Sequence, residues 1–318
     1  MYRTLFISAF SISVFSLSAC TQSPPLPEAD MDMALRIFET LAADDMQGRA
    51  TGTKGIEKAR DYLKNEIKAL EVFDTTSAQV FEFTPRRSET KLVGENLIGV
   101  IDTDDNDEGP LLVITAHYDH LGERAGLIYN GADDNASGSA ALFAIAKSFK
   151  ASPPDHDVAF VWFDAEERGL SGARAYVSDK TILGDRPVFN LNLDMVSQNE
   201  NELYFAGSYH LPALRPLMEK AAKTTNLTLS FGHDSPADGN DDWTRLSDHG
   251  VFFDAGIPFG YFGVEDHAHY HKPTDTFETI PQAFYKESVQ TLVNAAHILD
   301  ENLDKLARPA KRAPLEEF

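Results

Sequence analysis

Four short apolar runs, each leading through a loop into helical periodicity, constrain this chain more than any other feature. They are Asn96–Ile101 (NLIGVI), Leu111–Thr115 (LLVIT), Val158–Phe163 (VAFVWF) and Val188–Leu193 (VFNLNL). Each is short and rich in β-branched or aromatic residues, as buried strands are. Near-continuous apolarity marks a sheet covered on both faces, because a half-exposed sheet alternates apolar with polar positions. Helical spacing fills the intervals. From Met31 to about Val72, Leu35, Phe38 and Leu41 share one face, and Ile56, Ala59, Tyr62, Ile67 and Leu70 share another. A Gly-rich loop, DDMQGRATGTKG, divides them. Gly138–Phe149 is almost wholly apolar and therefore internal; Leu170–Lys180, Pro212–Lys223 and Gln282–Leu303 complete the helices. The alternation predicts an α/β fold: a single three-layer α/β/α domain over residues 31–305, with a mostly parallel mixed central sheet. Residues 306–318 lack periodicity and read as a loose tail.

Composition narrows the partners. Of 318 residues, 42% are hydrophobic and 25% charged, enough to build such a core. The net charge of −22 removes the basic footprint of a nucleic-acid binder and opposes adsorption to an anionic membrane. The N-terminus points elsewhere. Arg3, a Ser-rich apolar run and then Leu17-Ser18-Ala19-Cys20 resemble a bacterial lipoprotein signal. Residues 1–19 are then a cleaved leader, Cys20 the lipidated residue, and 20–30 a Pro-rich flexible tether. That places the chain outside the cytoplasm, in the cell envelope, touching membrane through its lipid anchor only. Because Cys20 is the one cysteine, no structural disulfide can form.

In a covered parallel sheet, ligands gather at the carboxyl ends of the strands, and there the polar residues collect. LLVIT runs into His117-Tyr118-Asp119-His120, a His with an Asp two positions on that can orient a metal-binding imidazole. Asp133-Asp134-Asn135 precedes the buried helix, where an acceptor serves equally as a helix cap or a ligand. VAFVWFDA leads into Glu166-Glu167; adjacent glutamates pointing to different sides let one coordinate and the other act as a base. VFNLNL ends in Asp194, a carboxylate that is costly at the mouth of an apolar strand unless paired or ligated. Asp266–Thr276 packs three His into five residues, ending on His271. Taken in order, His117, Asp134, Glu167, Asp194 and His271 supply two imidazoles, three carboxylates and no thiolate, a set that suits zinc or another first-row ion. Five ligands exceed what one catalytic zinc takes, and a carboxylate shared between two ions resolves the excess.

On these five motifs the chain resembles the co-catalytic zinc peptidases, which include bacterial leucyl aminopeptidase, glutamate carboxypeptidase II and glutaminyl cyclase. The resemblance covers about residues 45–300. It implies two Zn²⁺ per chain, with His117 and Asp194 on one, Glu167 and His271 on the other, and Asp134 bridging. It further implies that Asp119 holds His117, that Glu166 is the general base, and that Tyr270 hydrogen-bonds the tetrahedral oxyanion. The implied activity is aminopeptidase hydrolysis of peptides. The alternatives are a carboxypeptidase or dipeptidase of the same fold, a glutaminyl cyclase, or a non-catalytic binding module. One departure stands out: relatives place Arg directly before a Ser-Asp pair, whereas Ser247-Asp248 here follows Leu246, with Arg245 one step earlier. The acidic loop 235–243 is a weak match to a calcium loop. Phe252, Phe253, Phe259 and Phe262 read as core before pocket.

Overall fold

The computed structural model describes residues 26–86, 88–103 and 109–310. The leader, Cys20, the first part of the tether and the end of the tail lie outside the described residues. No described helix is long and apolar enough to cross a membrane.

In chain order, helix α1 (Met31–Leu41) and a 3-10 turn precede helix α2 (Lys54–Leu70). Strands β1 (Thr75–Phe83), β2 (Leu92–Ile101) and β3 (Leu111–His117) follow, then a small hairpin of β4 (Gly122–Arg124) and β5 (Leu127–Tyr129). Helix α3 (Gly138–Ala151) leads to β6 (Asp157–Phe163), α4 (Ser171–Ser178), α5 (Lys180–Leu183) and β7 (Pro187–Leu193). Strand β8 (Glu202–Ala206), α6 (Leu214–Ala222), β9 (Thr228–Phe231), α7 (His249–Asp254) and β10 (Phe259–Gly263) come next. The chain closes with α8 (Gln282–Asp300), α9 (Leu303–Leu306) and β11 (Arg308–Pro309).

The main sheet runs β1-β2-β6-β3-β7-β10-β8-β9, with β11 pairing β7 alongside. Its four central strands, β6, β3, β7 and β10, are mutually parallel; β2 and β8 flank them antiparallel. Pleating sorts the core into two layers. Leu112, Ile114 and Ala116 of β3 and Val158, Phe160 and Trp162 of β6 face the larger cluster, which α1, α2, α3, α6 and α8 cover. Leu111 and Val113 of β3 and Ala159, Val161 and Phe163 of β6 face the opposite cluster, against α4 and α7. Every residue of β3 and β6 is buried, the two-sided coverage that their apolarity requires. Helix α3 is buried nearly all round, with Phe143 against Trp162 at 4.8 Å between ring centroids.

The structure departs from the sequence expectation at the edges and ends. NLIGVI is the second half of a longer strand, antiparallel to both neighbours. Strand β1 escapes notice because it is an exposed, largely polar edge. FGYFG, an aromatic cluster by sequence, is the central strand β10, so Phe259 and Phe262 are core; Phe252 is core as well, in α7. Elsewhere the expectation holds: the two helices at 31–72 are divided within the Gly-rich loop, where Gln47 and Gly48 both have left-handed φ. A Cβ at Gly48 would lie 2.3 Å from the Tyr129 carbonyl oxygen, so this close crossing demands glycine.

Candidate metal centre

The parallel centre of the sheet delivers its carboxyl ends to one edge. Strand β3 ends on His117, β7 is followed at once by Asp194, and β6 by a turn carrying Glu166 and Glu167. Ala165 in that turn has φ +62°, so the two glutamates no longer follow the alternation of a strand. Both reach the site. Asp134 lies in the irregular turn before α3, and His271, with φ +53°, in the loop after β10.

The five residues converge around Asp134. One of its oxygens, Oδ1, lies 3.3 Å from Nε2 of His117; the other, Oδ2, lies 3.1 Å from Nε2 of His271. His117 Nε2 is 3.2 Å from Asp194 Oδ1, and His271 Nε2 is 3.6 Å from Glu167 Oε1. Two ligands at zinc distance from one tetrahedral ion stand about 3.4 Å apart, so these spacings fit shared cations. Among the described residues two donor groups emerge, His117 with Glu166 and Asp194, and His120 with Asp134 and Glu167. Glu167 Oε1 is buried without a hydrogen-bond partner, which a cation at that position would relieve.

Residues 96–296 match the family described as Peptidase family M28. The chain belongs to that family. Leupeptin-inactivating enzyme 1 of Streptomyces exfoliatus is 30% identical over 317 residues, 95% of this chain and 66% of that enzyme. Aminopeptidase YwaD of Bacillus subtilis is 30% identical over 203 residues, 60% of this chain and 41% of that one. The chain thus spans just under two thirds of the first relative and under half of the second. In fold it resembles BSAP, a zinc aminopeptidase from Bacillus subtilis (TM-score 0.71, 18% identity, 92% of this chain and 100% of that one). It also resembles a Bacteroides thetaiotaomicron glutaminyl cyclase (TM-score 0.68, 19% identity, 86% of this chain and 99% of that one).

The M28 centre is held by buried polar anchors that no motif announces. Asp119 lies against His117, as the resemblance implies, through its backbone as well as its carboxylate. Its backbone carbonyl is the nearer group, 3.1 Å from His117 Nδ1, against 3.6 Å for the carboxylate. That carboxylate also accepts from the backbone N–H of Glu166 at 3.0 Å and Glu167 at 3.3 Å, so Asp119 aims the glutamate pair. Asp275 accepts from the N–H groups of Asp133 and Asp134 at 3.0 and 3.2 Å. His267 Nε2 lies 3.1 Å from Oδ2 of Asp133, whose other oxygen accepts from the Ser197 N–H and hydroxyl. These contacts tie the His271 loop to the turn of Asp134. Arg49, fully buried, donates to the carbonyls of Tyr118, Leu41, Asn130 and Gly131 and so joins the end of α1 to two loops. Beneath Asp194, Thr115 donates to Asn192, which donates in turn to Ser247. Tyr270 stacks on His271 at 3.9 Å.

Burial and charge pull the ionisable groups apart. Burial opposes ionisation of Asp134, yet the neighbouring His120 and bonds with His117 and His271 hold its carboxyl well below the usual range. The close carboxylates of Asp134 and Glu167 push the His271 imidazole up to about 10. Glu166 goes the other way. Burial, offset in part by His117 and reinforced by Asp248 and Asp194, raises its carboxyl well above the ordinary value. Neighbouring carboxylates with opposite shifts are suited to different tasks.

Several further positions resolve. Arg245 pairs with Asp254 at 2.7 Å and covers the Phe253 ring, and its guanidinium is committed there. In the acidic loop, Asp238 completes a capping box with Ser235 and Asp242 caps the next turn, so their oxygens serve the backbone. The sequence motifs contain His120, Asp133, Asp248 and Asp275 but assign them no role at the centre; His267 reads there as an exposed loop histidine, whereas it lies against buried Asp133, and Arg49 carries no signal. The one signal for His120 was its place three residues after His117, beyond the same strand.

Proposed function

We propose that this chain is a zinc-dependent aminopeptidase that hydrolyses the N-terminal peptide bond of peptides with two zinc ions per chain. The observation that carries this reading is the Asp134 carboxylate, which presents one oxygen to each of two imidazoles. His117 and Asp194 would hold one ion and Glu167 and His271 the other, with Asp134 shared between them. Bound zinc supplies Lewis-acid polarisation of the scissile carbonyl and lowers the pKa of water toward ~7. Glu166 is the general base: its carboxylate takes a proton from the attacking water and delivers it to the leaving amine nitrogen. The Tyr270 hydroxyl, beside His271, donates to the oxyanion of the tetrahedral carbon. The names of the matching relatives, a leupeptin-inactivating enzyme and an aminopeptidase, support peptides as substrates.

The deciding assay runs free, N-blocked and C-blocked dipeptides together with an N-terminal glutaminyl peptide, with and without chelator. Cleavage only of substrates with a free N-terminus, abolished by chelation and restored by zinc, is the expected result. Cleavage of the N-blocked substrates moves the assignment to a carboxypeptidase, and cyclisation of the glutaminyl peptide moves it to a cyclase. The Leu17-Ser18-Ala19-Cys20 motif supports export and lipid anchoring at the bacterial envelope. Labelling with a radioactive fatty acid checks it, since Cys20→Ala then abolishes incorporation.

A further inference from the structure

His120 lies outside the five-residue donor set, yet its ring occupies the same space. The residue follows the end of β3, is 1% exposed, and has both ring nitrogens buried with no hydrogen-bond partner. Buried polar atoms are rarely left so. Nδ1 lies 2.9 Å from Glu167 Oε1 and 3.7 Å from Asp134 Oδ2, but neither approach has the geometry of a hydrogen bond. Glu167 Oε1 is orphaned in the same way. One donor atom each from His120, Asp134 and Glu167 lies within 4.8 Å of the others, the spacing of ligands around one cation. His271 Nε2 approaches the same two oxygens, at 3.1 and 3.6 Å. The ring has little freedom to turn away. The backbone N–H of His120 donates to the Arg49 carbonyl, and a Cβ at Gly131 would fall 2.4 Å from the imidazole.

We propose that His120 Nδ1 is a fourth protein ligand of the second cation, beside Asp134, Glu167 and His271. The inference rests on the two-zinc reading above. It gives that ion three buried donors and one, His271, on an exposed loop. Coordination through Nδ1 leaves the ring proton on Nε2.

The test titrates the metal-free full chain with zinc against a competing chelator, for wild type, His120→Ala and His120→Gln. Long-range proton–nitrogen spectra of ¹⁵N-histidine-labelled wild type follow each imidazole through the same titration. Both variants are expected to keep the first zinc at wild-type affinity. The second should weaken beyond the ~10–100-fold that loss of an outer hydrogen-bond partner costs. In the wild type, the His120 Nδ1 resonance moves to a metal-bound position only with the second equivalent. If Nδ1 stays unshifted at two equivalents, or both variants bind two zinc ions as the wild type does, His120 is not a ligand. Should His120→Ala fail to fold, His120→Gln and the spectra decide. A wild-type chain that binds fewer than two zinc ions sinks the two-zinc reading itself, a result distinct from a wild-type isotherm with unaffected variants.

Discussion

The two halves of the centre are built differently. His117, Asp194 and Glu166 come from the ends of β3, β7 and β6, three adjacent parallel strands whose register sets their spacing. Of the second group, Glu167 shares the turn after β6 with Glu166 and His120 follows β3, but the other two lie away from strand ends. Asp134 sits in a turn, and His271, its side chain 40% exposed, rides on a loop pinned by His267 and Asp275. The first half inherits its geometry from a ladder of backbone hydrogen bonds. The second is assembled by docking loops, whose local openings cost less than opening a core strand. Changes to outer anchors should therefore be felt mainly in the second half.

Asp134→Ala should produce the largest effect, because that residue belongs to both halves. Elemental analysis should show both ions lost and activity at background; one retained ion would mean the halves are independent. Glu166→Gln should keep both ions and lower kcat by about 10²–10⁴-fold. Loss of one ion in that variant would make Glu166 a ligand of the strand-end half and not the base. His267→Ala should weaken only the second ion, by ~10–100-fold, as outer-shell changes do. Equal weakening of both ions in a chelator titration would erase the contrast.

The smallest effect concerns stability. Asp248 is fully buried with neither oxygen partnered, and burial, partly offset by His117, pushes its carboxyl up to about 8. The unfolded chain loses this proton near 3.8 while the folded chain keeps it, so stability falls as pH rises between those values. In the metal-free protein Asp248→Asn should raise Tm by a few degrees at pH 7, where ~1 kcal/mol corresponds to about 2–4 °C. At pH 4 scanning calorimetry should find little difference. A rise of the same size at both pH values would point to packing and not to charge.

The strand-end donors were legible because an apolar run that stops on His117 or Asp194 leaves a polar group where burial needs a partner. Asp134 was ambiguous on its own, since an Asp before a helix is also a good cap. Its side chain does not cap α3; Gly138 N–H is met by Asn135 instead. The edge strand β1 was hidden by its polarity. Asp119 was visible as a neighbour of His117, but two positions of sequence separation do not reveal that its carboxylate also receives the Glu166 and Glu167 N–H groups.

Hydrophobic periodicity alone determined the α/β class and the order in which ligand-type side chains emerge from the strands, since both are properties of contiguous residues. Only the tertiary structure decided that Asp134 faces two imidazoles, that Asp119 aims Glu166 and Glu167, and that His120 enters the second group. Contacts such as that between His117 and Asp194, separated by 77 positions, are set by strand register and loop docking. Those depend on how the whole core packs, which no local pattern encodes.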